Sequence, residues 1–444
     1  MNSPPPASRH ERFGFAGKAA LLEKAKTLAV ELPFQEDITP LFQPRPIAGR
    51  ILANRLAVQP MEGADAEPDG SPGPLTVRRY RRFGAGGCGL IWFEAAAVTP
   101  DGRSNPRQLL LSPATLDGFK RLVDETRAAA AGAGASPPPL LILQLTHSGR
   151  FSKPLGKPAP IIARHDPVLD ALHDWPADRP LVSDDALDRL KDEFAAAAGL
   201  ALRAGFDGVD IKACHGYLVS ELLAARCRMA SRYGGEFENR ARFLIETARA
   251  VRTTSPQLIL ACRLGLFDAL PGGFGVGAGN SAPSDTAEPK ELVGRLEEAG
   301  ASLIDITAGI PAYRAQYGRP FDRPAAGGPP ADEHPLVGVA RLIRLAAEIQ
   351  NAYPGLAVVG TGYSWLRQFF PPVAAGVLAS GAAAIIGLGR MSFACPDFAV
   401  RLRDTGRLAS RDVCVACSSC STLLRSGGPA GCVVRDPAVY RLPR

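Results

Sequence analysis

No segment of the 444 residues reads as one that would carry the chain into or across a membrane. Its opening, MNSPPPASRHERFGF, has no apolar core; it reads as a disordered lead rather than a signal peptide, and a cytoplasmic location is expected. The longest apolar run, 373–389, is interrupted by glycines and a serine, so it divides into a helix, a turn and a buried strand instead of spanning a bilayer. No Walker-type P-loop is present. Two Gly-rich stretches fail on context: GAGGCG at 84–89 follows a helical pattern and precedes a strand, the reverse of a dinucleotide fingerprint, and GFGVGAG at 273–279 has no helix behind it. Also missing is a basic segment interleaved with aromatics. The net charge of +7 comes from arginines dispersed among acids, which argues against nucleic acid and for an anionic cofactor or substrate. Five of the 9 cysteines (Cys88, Cys214, Cys227, Cys262, Cys395) are scattered, which excludes a disulfide scaffold and fits a reducing compartment.

What is present is an alternation of strands and helices. Runs at 55–61, 88–96, 140–147, 206–213, 258–265, 301–308, 356–361 and 382–388 are continuously apolar, as parallel strands covered on both faces are. Amphipathic patterns fill the gaps at 116–133, 187–204, 237–252, 289–299 and 335–350, several closing on glycine, as at Gly205 and Gly300. Eight repeats predict an α/β fold, a (β/α)8 TIM barrel with its site on the loops after the strands; a doubly wound open sheet is the alternative. Three of those loops, about 149–183, 270–288 and 310–334, are long and rich in Pro, Gly and polar residues, the kind that build or cover a site. The chain is expected to divide into a lead (1–36), the barrel (37–408) and a cysteine-bearing extension (409–444).

That extension holds Cys414, Cys417, Cys420 and Cys432, a Cys-x-x-Cys-x-x-Cys run closed by one more cysteine after a Gly-Gly-Pro turn. Three ligands on one hook suit a cubane [4Fe–4S] cluster; a structural zinc ion and buried free thiols remain the alternatives. The strand ends are polar as well. Gln144 and His147 close the third strand, Lys212, His215 and Tyr217 follow the fourth, Arg263 closes the fifth, and Gly389-Arg390 follow the eighth, where backbone amides and a guanidinium fork suit a phosphate.

The segments NRLAVQPM, FEAAAVTPDGR, LQLTHSGRFSKP, CHGYLVSELL, YGGEFENRARF and IIGLGR, in this order, resemble the FMN-dependent old yellow enzyme superfamily. With the terminal cysteines, the chain is most similar to the iron–sulfur branch, that of 2,4-dienoyl-CoA reductase and trimethylamine dehydrogenase. The resemblance implies FMN across the barrel mouth, with Pro60, Met61 and Ala95 lining the isoalloxazine and Gln144 on its pyrimidine edge. Arg263 would lie by the N1–C2 carbonyl, and Gly362, Gly389 and Arg390 would hold the phosphate. Tyr217 matches the proton-donating tyrosine of related reductases, with His215 or Lys212 expected to stabilise its phenolate. His215 matches the substrate-oxygen-binding histidine. Lys212 departs from the family's paired His and could instead form a salt bridge across the mouth; Glu62 stands where relatives often have Cys, Thr or His, and could tune the flavin, act as a base or point to solvent. Cys214 is expected to be a small buried filler, and Trp92 and Trp365 core or rim residues.

The expected function is FMN- and iron–sulfur-dependent reduction of an activated C=C bond. NAD(P)H or a separate electron-donor protein would supply the electrons, since no pyridine-nucleotide domain is recognisable and the sequence ends soon after Cys432. A homo-oligomer is compatible with this reading. An oxidative amine dehydrogenase is the second reading, disfavoured because Lys212 would repel a cationic amine and Leu424 stands where an aromatic is needed. A non-enzymatic, metal-stapled barrel is the third.

Overall fold

The computed structural model describes residues 9–275 and 286–442. Eight parallel strands close into a barrel: β1 (Leu56–Val58), β2 (Leu90–Ala97), β3 (Leu140–Thr146), β4 (Gly208–Ala213), β5 (Ile259–Gly265), β6 (Ala301–Thr307), β7 (Ala357–Gly360) and β8 (Ile385–Leu388), with β8 pairing back onto β1. All eight expected strands are there, and the open-sheet alternative falls. Their side chains are buried on both faces because helices cover the outside while the strands' own side chains fill the inside. The layer beneath the mouth holds Trp92, whose indole donates to Asp210 Oδ2 at 2.9 Å.

The five expected helices form at Leu116–Gly132, Asp184–Ala204, Phe237–Thr254, Ala287–Glu298 and Pro335–Ala352. Local chemistry sets their ends. Ser183 Oγ accepts the Ala186 N–H at 3.2 Å to start one, and Gly205, with φ of +93°, ends it in the left-handed conformation that a Cβ would disfavour. The apolar stretch near 373–389 resolves into a helix (Phe370–Ala379), a turn and β8, and among the described residues no helix is long and apolar enough to cross a membrane.

The disorder expected of MNSPPPASRHERFGF is corrected for its residues 9–15. Phe13 stacks on Phe369 with ring centroids 5.9 Å apart and meets Trp365 edge-on; its N–H donates to Asp322 Oδ1, and helix Lys18–Thr27 buries Leu21 against the barrel. Three phenylalanines within MNSPPPASRHERFGF and the stretch after it supply enough apolar surface to anchor a segment that has no periodicity to betray it. The loop at 270–288 lies partly outside the described residues, as does most of GFGVGAG.

The cysteine-bearing segment folds back on the barrel. Asp436 receives both Arg78 and Arg82, Ala430 N–H donates to Gly63 O at 2.7 Å, and Asp322 N–H donates to Ala416 O at 3.0 Å. A short helix, Ser419–Arg425, carries Cys420 toward the barrel mouth.

Candidate active site

A cavity of about 370 Å³ opens at the C-terminal ends of the strands, the size of a small-molecule site. Every residue expected from the sequence to line the flavin or act on substrate borders it: Pro60, Met61, Glu62, Ala95, Gln144, Lys212, His215, Tyr217, Arg263, Gly362, Gly389 and Arg390. Cys420 also borders it, with Ser421, Leu424 and Arg425 of the terminal helix. Flavin-type and cysteine-bearing elements therefore share one cavity.

The floor is a buried polar network. Gln144 Nε2 donates to Asp210 Oδ2 at 2.6 Å, and the Arg263 N–H donates to Asp210 Oδ1 at 2.5 Å. Arg263 Nε forms an ion pair with Asp305 Oδ2 at 3.1 Å, while Gln59 donates to Asp305 and accepts from Thr361. Burial pushes Asp210 and Asp305 up to about 6, against the pull of the Gln, Arg and Trp donors around them. Gln144 and Arg263 thus belong to the barrel interior and also face the cavity.

At one side of the mouth, charge is balanced. Tyr217 Oη donates to Glu62 Oε1 at 3.0 Å, Lys212 Nζ lies 3.6 Å from that oxygen, and the same Nζ sits 3.5 Å above the centre of the Tyr217 ring. Lys212 does form the salt bridge that the sequence left open, and Glu62, with its side chain 15% exposed, does not point to solvent. The Tyr217 hydroxyl is aimed at Glu62, not at His215. Burial first, then the Glu62 charge, hold this phenol well above its ordinary pKa. His215, at φ of +67°, has Nε2 3.4 Å from Thr307 Oγ1. Burial, with Arg263 and Lys212 nearby, drives its pKa well below the usual value, so it is a neutral imidazole.

At the other side, charge is unbalanced. Arg390 donates to Pro320 O at 2.7 Å and keeps Nη1 buried with no partner. Arg319 reaches Ser421 of the terminal helix and has a buried Nε without a partner; burial and the neighbouring Arg390 pull it down to about 10. Among the described residues Arg425 hydrogen-bonds the carbonyls of Ala326 and Pro311. Among the described residues no carboxylate pairs with any of the three. A Cβ on Gly389 would come within 2.8 Å of Met61 Sδ, so the bare backbone there leaves room beside Arg390. Buried guanidinium donors beside a bare glycine backbone fit a phosphate. Arg319 and Arg425 were not singled out from the sequence. The only signal was that Arg319 lies in a long Pro/Gly-rich loop, at 310–334, on the site face.

The four cysteines gather at this end. Cys414 interacts electrostatically with Cys420 and Cys432, and Cys432 with Cys420 and Cys417. Burial raises the Cys414 thiol to about 12 and raises Cys432 as well, while backbone N–H groups of Ala416 (3.3 Å) and Arg435 (3.4 Å) donate to their sulfurs. Among the described residues no three His, Cys, Asp or Glu side chains converge closely enough to hold a single metal ion. Cys214 is buried, as expected, with its thiol raised to about 12 by burial, which rules out an easy thiolate nucleophile. Trp92 and Trp365 are both fully buried, the latter donating to Asp322 Oδ1 at 2.7 Å.

Comparison with known proteins agrees with this geometry. Residues 40–276, more than half the chain, match the NADH:flavin oxidoreductase / NADH oxidase family. The NADPH dehydrogenase of Bacillus velezensis is 28% identical over 333 residues, covering 72% of this chain and 85% of that protein. The NADPH dehydrogenase of Halalkalibacterium halodurans is 32% identical over 282 residues (62% and 76%). The NADH oxidase of Thermoanaerobacter brockii is 25% identical over 382 residues (85% and 52%). Among solved structures, 2-naphthoyl-CoA reductase in complex with 2-naphthoyl-CoA superposes with a TM-score of 0.69 at 22% identity, over 92% of this chain and 59% of that one. Histamine dehydrogenase from Rhizobium sp. 4-9 gives 0.67 at 21% identity, over 89% and 52%. The chain thus spans a little over half the length of these two neighbours, whose likeness bears on the fold alone. By the family match, with a cavity whose donors fit a flavin phosphate, the chain belongs to the NADH:flavin oxidoreductase / NADH oxidase family and is a flavin-dependent oxidoreductase.

Proposed function

We propose that this enzyme reduces the activated C=C bond of an enone or enoyl compound, with FMN in the barrel mouth and a [4Fe–4S] cluster on Cys414, Cys417, Cys420 and Cys432. The carrying observation is the single cavity bordered both by the flavin-type strand ends and by Cys420. When bound, FMN supplies hydride at N5 and the cluster supplies electrons singly. Pro60, Met61 and Ala95 wall the ring system, Gln144 and Arg263 face its pyrimidine edge, and Gly362, Gly389 and Arg390 take its phosphate. His215, as a neutral imidazole, offers an N–H to the substrate carbonyl without competing charge. Lys212 adds a cation to the same oxygen, and Tyr217 gives the proton to the α-carbon. The backbone N–H groups on Cys414 and Cys432 favour thiolates, whose burial is costly until a metal offsets their charge.

The division into a flavin barrel (37–408) and a cluster extension (409–444) follows from this reading. Electrons enter from NAD(P)H directly or from a separate reductase or small carrier protein. Against amine oxidation stand the cations that line the cavity, Lys212, Arg263, Arg319, Arg390 and Arg425. The test is anaerobic purification with flavin and iron assays, reduction by NADPH, then reoxidation with a cyclic enone in parallel with incubation of oxidised enzyme with amines. Flavin, roughly four irons per chain and rapid reoxidation by the enone are expected. Bleaching by amines with no enone reoxidising the flavin would sink this reading. Fast reduction by NADPH with a cluster that never changes oxidation state would remove the electron-relay role alone.

A further inference from the structure

Glu62 is the residue of the cavity for which the catalytic outline above has no use. It is nevertheless the best connected group at the mouth. Oε1 accepts from Tyr217 Oη at 3.0 Å and faces Lys212 Nζ at 3.6 Å; Oε2 lies 3.4 Å from Ser104 Oγ. Ser104 in turn accepts from Asn105 Nδ2 at 3.1 Å, and both residues are half-buried, on the loop that follows β2 and reaches solvent at Asp101, Pro106 and Arg107. Three elements therefore line up one continuous path: the loop after β2 (Ser104), the loop after β1 (Glu62) and the segment after β4 (Tyr217). A carboxylate beside a phenol is a poor neighbour for a simple acid, because giving up the phenolic proton would leave two anions in contact. The arrangement makes sense when the phenol never stays ionised.

From this geometry we infer that Glu62 is a proton-relay residue that acts through Tyr217, resting on the ene-reductase reading above. At rest Glu62 is the carboxylate that Lys212 faces, and the relay's proton reaches it from solvent by way of Ser104. When substrate is bound, the Tyr217 hydroxyl gives its proton to the α-carbon while Glu62 passes its own to Tyr217 Oη. One C–H bond forms there, the O–H bond of Tyr217 is re-formed, and the hydride from the flavin accounts for the other C–H bond and both electrons. The negative charge comes to rest on Glu62, 3.6 Å from the Lys212 ammonium, instead of on a buried phenolate. Lys212 is thereby the group that makes the relay's end state tolerable, by facing both the carboxylate and the ring.

The test compares the wild-type holoenzyme with Glu62→Gln, which keeps the shape and an oxygen acceptor but cannot carry a proton. In stopped flow, reduction of the flavin by NADPH should be unchanged and reoxidation by the enone roughly 100-fold slower. The proton inventory of reoxidation should be curved in wild type, with two protons in motion, and linear in the variant. Independently of turnover, NMR of holoprotein labelled with ¹³Cζ tyrosine, with Tyr217→Phe for assignment, should show the Tyr217 ionisation midpoint lower in Glu62→Gln. The groups then left beside that phenol include Lys212, Ser104 and Cys214. A wild-type reoxidation rate in the variant, or an unmoved midpoint, overturns the relay. Flavin that no enone reoxidises sinks the ene-reductase reading instead, so the two failures are distinct. Should Glu62→Gln lose its flavin, Ser104→Ala cuts the path one step further out; it should slow reoxidation severalfold, and no change in rate or inventory would overturn the relay.

Discussion

The two ends of the cavity are built from similar residues and behave in opposite ways. At the Tyr217 end each charge has its counter-charge: Glu62 meets Lys212, and the floor beneath pairs Arg263 with Asp305. At the Arg390 end, three guanidiniums and the Cys420 thiol border the cavity without one carboxylate on those arginines among the described residues. A balanced site can move a proton with little net rearrangement of charge. An unbalanced one is complete only when an anion enters. The comparison teaches where ligand charge is expected to sit: a phosphate and a thiolate-ligated core at one end, a near-neutral reacting group at the other.

The largest effect should come from the unbalanced end. Cys420→Ser removes the thiol that borders the cavity and should abolish cluster retention, read as loss of iron and of the broad visible absorbance, while flavin still binds. Next, Tyr217→Phe should slow reoxidation by substrate roughly 100-fold and leave flavin reduction by NADPH untouched. Equal slowing of both half-reactions would show that the balanced end also positions the flavin. Arg390→Met should weaken FMN by about 2 kcal/mol, some 30-fold in Kd, measured by titrating flavin-free protein. An effect of that size from Lys212→Met instead would invert the comparison. The smallest is a ligand effect: inorganic phosphate should raise the Tm of flavin-free wild type by a few degrees and leave that of Arg390→Met unmoved.

Much of this was legible because parallel strands write themselves as unbroken apolar runs. The stretch Leu140–Thr146 needed only its length and its polar end to be placed, and the same holds for Gln144, Lys212 and Arg390, each at the C-terminal end of a strand. What could not be read is whatever depends on loops folding over the mouth. Arg319 lies in a loop with no periodicity, and its nearness to Arg390 and Ser421 is a fact of tertiary packing alone. Of the two neighbours expected for Tyr217, His215 or Lys212, Lys212 stands against its ring, whereas Glu62, which takes its hydroxyl from 155 positions away, could not be read from chain proximity. The lead was misread because anchoring by isolated phenylalanines leaves no pattern.

The short bond from Ala430 to Gly63 has a consequence for assembly. Gly63 follows Met61 and Glu62 directly and also donates to buried Glu94 at 2.7 Å, so the strap pulls on the rim of the coenzyme's bed. The strap is made from polypeptide synthesised after all eight staves of the barrel. The bed is therefore finished last: the nascent chain has its ring of strands before it has the contact that steadies this rim.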